Sequence, residues 1–370
     1  MSNIKNKQHY VFQAYLKNWC NDNDKLWVYS KKERKIFSSG TNNILHKRRF
    51  YQLRNLNEDE RKFLEFLMEC LKVNKTTKAE LWRHVELYLA PYKFKHIVDM
   101  TKRLNPVPVN HPLNQELQLG FANLYQILEE GIVNVGEDVY SDFEASGMEY
   151  IRRIIEGDLQ FYYPSIDNCS DVALQNSRIY EKRDEFIVFL FIQYFRTVRM
   201  RKVCQKNIHD MIDVIKNNEI KYEKKIVNFL LDNIDEKNLV PHLSMLFLSL
   251  CTDAFINNNA HLTVLKNFTT ENFLTSDQPI INLKSKDNGS MPDEFVLYYP
   301  LSPKIAIKVN DNNDVVNEIT IIDKEVVRKY NDKLINEAYD YIVSSNEEQL
   351  RLGYVNNPVV DPSVTLWPDL

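Results

Sequence analysis

The sequence predicts an α+β fold: an antiparallel sheet drawn from N- and C-terminal strands, with a large helical block inserted between them. Three observations predict it. Near the N-terminus KLWVY (Lys25–Tyr29) and KIF (Lys35–Phe37) flank the charged turn KKERK, a hairpin pattern. From Asn57 to about residue 260 apolar residues recur at helical spacing. From His261 the period changes to two, through LTVLKNF, NFLTSDQPIINL, EFVLYYPLSP, KIAIKVN and VVNEITIID. Strands, a run of helices, then strands again is the α+β order.

The elements follow in turn. Residues 8–19, QHYVFQAYLKNW, read as a short helix with Phe12, Tyr15, Leu16 and Trp19 on one face and His9 and Gln13 together on another. HKRRFYQL (46–53) reads as a further strand. Asn57 followed by Glu60 is a capping box, and Phe63, Leu64, Leu67 and Leu71 give the apolar face of the helix it opens. Thr77 with Glu80 repeats the signal for a second helix to Pro91, with helical pattern continuing to about Arg103. Pro106, Pro108 and Pro112 mark a loop. Helices are expected over 113–131 and 139–157. After the loop FYYPSIDNCS a central helix runs from near Ser170 to Lys216, followed by helices over 221–234 and 241–256. In the β-rich part DNND (311–314) is a turn. The chain closes with a helix over 324–345 and an irregular tail ending LWPDL. The expectation is one domain: helix plus hairpin (1–56), helical block (57–260), β-rich part (261–323), closing helix and tail (324–370).

Composition narrows the function. The 370 residues are 44% hydrophobic and 26% charged, with net charge -4, which argues against a protein that coats nucleic acid nonspecifically. Eight glycines and neither GxxxxGK[ST] nor GxGxxG argue against a glycine-loop nucleotide site. Five well-separated cysteines read as reduced thiols, so a cytoplasmic location is expected. The histidines form no HExxH or HxH and no CxxC accompanies them, so zinc is not expected. The polar start MSNIKNKQHY lacks an apolar signal region, and no stretch reaches the roughly 20 apolar residues of a membrane span.

The chain is organised around Asp184–Arg201, DEFIVFLFIQYFRTVRMR, whose Phe186–Ile192 are apolar without interruption. A helix apolar all round is buried. Gln193 and Arg196 follow on one face, and a buried guanidinium must find an acceptor. Further polar residues stand in apolar surroundings: His9 and Gln13, Glu144 in SDFEASGMEYIRRII, and Thr275, Ser276 and Asp277 in LTSDQPI. Each has a plain structural reading. His9 is a satisfied histidine, Glu144 favours a helix N-terminus, Arg196 and Asp277 pin helix to sheet, and Arg199 and Arg201 are a solvated face. The chemical reading puts them in one cleft: His9 as acid or base with Gln13 beside it in the catalytic set, Gln193 positioning water or substrate, Glu144 and Asp277 as Mg²⁺ ligands or orienters, and Arg196 neutralising a phosphate. Arg199, Arg201, Thr275 and Ser276 would then contact a nucleic-acid backbone.

In order along the chain, HYVFQAYLKNW, FIQYFRTVRMR, FLTSDQPI, YYPLSP and YNDKLINEAYDYIVSS resemble the bacterial family filed as domain of unknown function 4238. The resemblance spans essentially the whole chain. The family's usual start is His-Tyr-x-Pro-Gln; here Phe12 stands at the proline position while His9 and Gln13 are kept. The match covers His9, Gln13, Glu144, Gln193, Arg196, Thr275, Ser276 and Asp277 by position and brings no assigned catalytic roles. It implies a bacterial protein of anti-phage defence. The expectation is a cytoplasmic effector that cleaves RNA or DNA with Mg²⁺ and answers to a phage-encoded trigger. The alternative is a sensor or interaction module whose polar motifs are structural.

Overall fold

The computed structural model describes residues 4–104, 107–163, 172–216, 233–286, 292, 294–310 and 318–351. Residues 221–232 of the expected helix over 221–234, the DNND turn and the LWPDL tail lie outside them. The fold is α+β, and the chain divides into two compact units.

The first unit comprises Met1–Gln8, Lys47–Ser141 and Cys204–Ser249. Its first long helix, α2 (Glu58–Cys70), opens with the expected capping box: Glu60 N donates to Asn57 Oδ1 and Asn57 N to Glu60 Oε2, both at 2.8 Å. Glu60 is fully buried because its other oxygen accepts from Asp235 N and Asn238 Nδ2. The second and third expected helical stretches are one helix, α3 (Lys75–Arg103), with Pro91 inside it and Asn74 as its cap. The helices expected at 113–131 and 139–157 are also one, α4 (Pro112–Glu156). Two of its mid-helix carbonyls each take a second donor: Ile132 O from Leu53 N and Val133 O from Gln8 Nε2. Gly136 permits that approach, since a Cβ there would stand 2.7 Å from Tyr51.

The second unit comprises His9–His46, Asp142–Val203 and Leu250–Leu370. The early hairpin, β2 (Lys25–Ser30) with β3 (Lys35–Gly40), does pair with late strands. The order is β3-β2-β11-β6, antiparallel throughout, where β6 is Thr275–Ser276 and β11 is Tyr341–Ser344. The remaining late strands form a separate five-stranded sheet in the order β10-β5-β9-β8-β7, so the expected single sheet is two. Its strands are β5 (His261–Asn267), β7 (Ile281–Asn282), β8 (Val296–Pro300), β9 (Ile305–Asn310) and β10 (Ile319–Ile322). One pair, β5 with β10, is parallel. The two sheets share a core that includes Phe273, Leu274, Tyr298 and Ile342.

Three local expectations are corrected. Residues 8–19 are not one helix: β1 (Lys7–His9) leads through Phe12 into α1 (Gln13–Leu16) and a 3-10 turn. The strand expected over 46–53 is only β4 (His46–Arg48), paired with β1. The closing helix ends at Glu337 as α8 (Lys324–Glu337), capped by Asp323, and YDYIVSS instead supplies β11 at the centre of the four-stranded sheet. Tyr341, Ile342 and Val343 are strand formers, and Ile342 and Val343 are fully buried there. Among the described residues one helix, α7 (Glu236–Asn257), is long and apolar enough to cross a bilayer by length and composition, and half of its most apolar window is buried inside the protein.

Candidate functional site

The expected central helix is interrupted where its polar residues lie. It consists of α5 (Val172–Phe195) and α6 (Val198–Lys216), separated at Arg196 and Thr197. Arg196 N still donates to Ile192 O, closing α5. Thr197 Oγ1 accepts from Met200 N at 3.3 Å, as a capping residue does. The break lets Arg196 emerge from the apolar helix into a polar neighbourhood.

Arg196 is 2% exposed, and its acceptors come from distant segments. Nη1 donates to Glu144 Oε1 at 2.5 Å and lies 3.4 Å from Gln193 Oε1; Nη2 donates to the His9 carbonyl at 2.5 Å. A buried guanidinium needs such partners, because a desolvated unpaired charge costs several kcal/mol. Glu144 is the cluster's open edge, its side chain 23% exposed against 1% for that of Arg196. Gly147, one turn along α4, sets this pair: a Cβ there would overlap the Phe189 ring of α5, so only glycine lets the two helices approach closely enough.

His9 and Gln13 remain neighbours although they do not share a helix: Gln13 Nε2 lies 3.4 Å from His9 Nδ1. The His9 ring meets His46 edge-on at 5.3 Å. Tyr299, which the sequence did not single out, completes the neighbourhood. Burial and the nearby Tyr15 hold its hydroxyl proton on, and the charges of Arg196 and Glu144 both act on it. Gln193 Nε2 and Tyr299 Oη are among the buried side-chain atoms of the described residues that have no hydrogen-bond partner; Thr252 Oγ1, Thr263 Oγ1, Tyr298 Oη and Asn310 Oδ1 are others.

The LTSDQPI residues serve another purpose. Thr275 Oγ1 shares a 2.7 Å hydrogen bond with Tyr15 Oη, which also donates to Pro300 O. Ser276 Oγ donates to Gln278 O and accepts from Gln278 N. Both Thr275 and Ser276 are fully buried, so neither offers itself to a nucleic-acid backbone as expected. Asp277 is a clamp: Oδ1 accepts from Tyr339 N at 2.8 Å, and Oδ2 from Asp340 N at 2.7 Å and Tyr341 N at 3.0 Å. These bonds end the α8 segment and start β11. Burial pushes the Asp277 carboxyl up to about 6, against the opposing pull of the three N–H donors and of Lys31. Lys31 is itself pushed down to about 8 by burial and donates to the carbonyls of Ile335 and Ala338. The expected Arg196–Asp277 pairing is replaced by Arg196–Glu144.

Arg199, expected on a solvated or phosphate-binding face, is bound to Glu337 through both its carboxylate (2.5 Å) and its carbonyl (2.9 Å). Arg201 is half-buried on α6. Gln278 and Thr197, like Tyr299, were not singled out from the sequence. Thr197 Oγ1 donates to Gln278 Oε1, and Gln278 Nε2 donates to Tyr194 O and Ile280 O, fastening the helix break to the strand. For Thr197 and Gln278 the available signal was adjacency: they follow Arg196 and Asp277.

The expected Mg²⁺ pair does not fit. Glu144 is bound to Arg196, the Asp277 oxygens are taken by backbone donors, and no group of three His, Cys, Asp or Glu side chains suited to a metal occurs among the described residues. What the Arg196 cluster does offer is a carboxylate, an imidazole, a guanidinium and two free donors.

No curated protein and no solved structure matches the chain. A family model described as a protein of unknown function (DUF4238) matches residues 7–72 and 88–348, most of the sequence, and the chain belongs to that family.

Proposed function

We propose that the Arg196 cluster is a phosphodiester-cleaving site and that the protein is a bacterial anti-phage effector acting on RNA in the cytoplasm. The observation that carries this reading is the pair of buried donors, Gln193 Nε2 and Tyr299 Oη, left without partners near a Glu–Arg pair. A buried unsatisfied donor costs about 1–3 kcal/mol, and a bound ligand is one way to offset that cost. Carboxylate, imidazole and guanidinium together suffice for RNA cleavage through the ribose 2′-hydroxyl. Glu144 accepts that hydroxyl's proton as its oxygen attacks phosphorus. The bond to O5′ breaks, and His9 in its protonated form donates a proton to O5′, leaving a 2′,3′-cyclic phosphate and a 5′-hydroxyl. Arg196, with the two free donors, offsets charge on the phosphoryl oxygens. The setting in phage defence rests on the motifs shared with the family.

The test is end-labelled RNA and DNA incubated with purified protein, in EDTA and in Mg²⁺, alone and with lysate of phage-infected cells. RNA cut to cyclic phosphate ends, with Arg196→Lys at least ~100-fold slower yet folded, is the expected result. Folded wild-type protein that leaves every nucleic acid intact under all these conditions removes the reading. A second reading, a non-catalytic sensor or interaction module, is favoured by the Arg196 guanidinium being already bonded to Glu144 and the His9 carbonyl. It predicts that Arg196→Lys lowers the melting temperature and leaves no activity to lose.

A further inference from the structure

We propose that the α3–α4 part of the first unit is a homodimer interface, with α3 of one copy packed against α4 of a second. Eleven of the seventeen exposed large apolar side chains among the described residues lie between Leu87 and Val139. A lone soluble chain rarely shows a contiguous apolar patch of more than a few hundred Å².

On α3 and at its C-cap, Leu87, Phe94, Ile97 and Leu104 are 61%, 59%, 56% and 74% exposed. They are seven, three and seven residues apart, the spacing of a seam made for another helix. On α4 the matching face is uneven. Leu124 and Ile127 are exposed, and Gly120 and Gly131 share their side of the helix. Within the chain nothing lies within 4 Å of where a Cβ would stand at either glycine. Glycine inside a helix is destabilising relative to alanine, and here no neighbour in the same chain uses the space. Gaps on α4 suit the large side chains of α3.

Charge selects a second copy as the occupant. Residues 91–104 carry four lysines and arginines against the single acidic Asp99, whereas residues 112–141 carry five acidic residues and no lysine or arginine. Within one chain Lys95 pairs with Glu129, and Tyr125 donates to Asp99. A two-fold axis repeats the basic-to-acidic match twice, since each copy supplies both faces.

Sedimentation equilibrium on the full chain at about 50 μM tests this; that range separates specific dimers from weak contacts. The expected result is twice the 43.8 kDa chain mass, with the dimer weakening as salt rises. Phe94→Glu combined with Ile127→Glu should give a monomer with unchanged helix content. Gly120→Leu, which fills a gap without adding charge, should weaken the dimer at least tenfold and decides the matter if the double variant misfolds. A monomeric wild type overturns the proposal. So does a dimer that persists undiminished in the folded variants, because another surface then joins the copies.

Discussion

Two polar centres of the second unit, the Arg196 cluster and the Asp277 clamp, arise from the same kind of signal: a charged side chain inside an apolar segment. Their wiring differs. Every oxygen contact of Asp277 described above goes to the backbone of Tyr339, Asp340 and Tyr341, and the residue is 1% exposed. Arg196 is equally buried, but its partner Glu144 reaches solvent and two donors near it are unspent. A closed set of bonds stabilises; an incomplete set stores a capacity to bind. Burial of a charge therefore does not separate the two roles. The satisfaction of the groups around it does.

The sharpest way to break this contrast is Asp277→Ala. It leaves three buried N–H groups without an acceptor and should cost about 3 kcal/mol or more in urea denaturation. A neutral result would mean that the clamp is not structural. Next is Gly147→Ala, which forces α4 away from α5; about 1–3 kcal/mol is expected, together with loss of any cleavage activity, because Glu144 moves with the helix. Retained stability and activity would show that the close approach is unnecessary.

A third test uses pH. The folded Asp277 carboxyl sits at about 6, above its ordinary 3.8. The stabilisation tied to that shift is complete below the lower value and is lost as pH rises through 6. The stability gap between wild type and Asp277→Asn should accordingly narrow from pH 4 to pH 7. Thermal melts on both proteins measure it, and a gap that widens would reverse the assignment. The smallest stability effect belongs to Tyr299→Phe. Removing an unpartnered buried hydroxyl should change stability by no more than about 0.5 kcal/mol, or improve it. Cleavage should nonetheless fall about tenfold, and a large loss of stability would place Tyr299 in a closed network like that of Asp277.

Much of this protein could be read from residue order. The capping box at Asn57 and Glu60, the hairpin at Lys25–Gly40 and the change of period at His261 are local patterns, and local patterns fix local structure. The need of Arg196 for an acceptor was legible too, since desolvation of a guanidinium is a property of the residue and its apolar neighbours. Which acceptor it takes was not. Glu144 and Asp277 are both carboxylates in apolar segments, and only the approach of α4 to α5 at Gly147 chooses the first. The fate of YDYIVSS was equally nonlocal. Its apolar residues suit a helix end or a strand, and the Asp277 side chain, more than sixty residues away in sequence, decides for the strand by holding its first amides. Periodicity is written along the chain, whereas the pairing of buried charges depends on which distant segments pack together, and that is set only when the whole chain has folded.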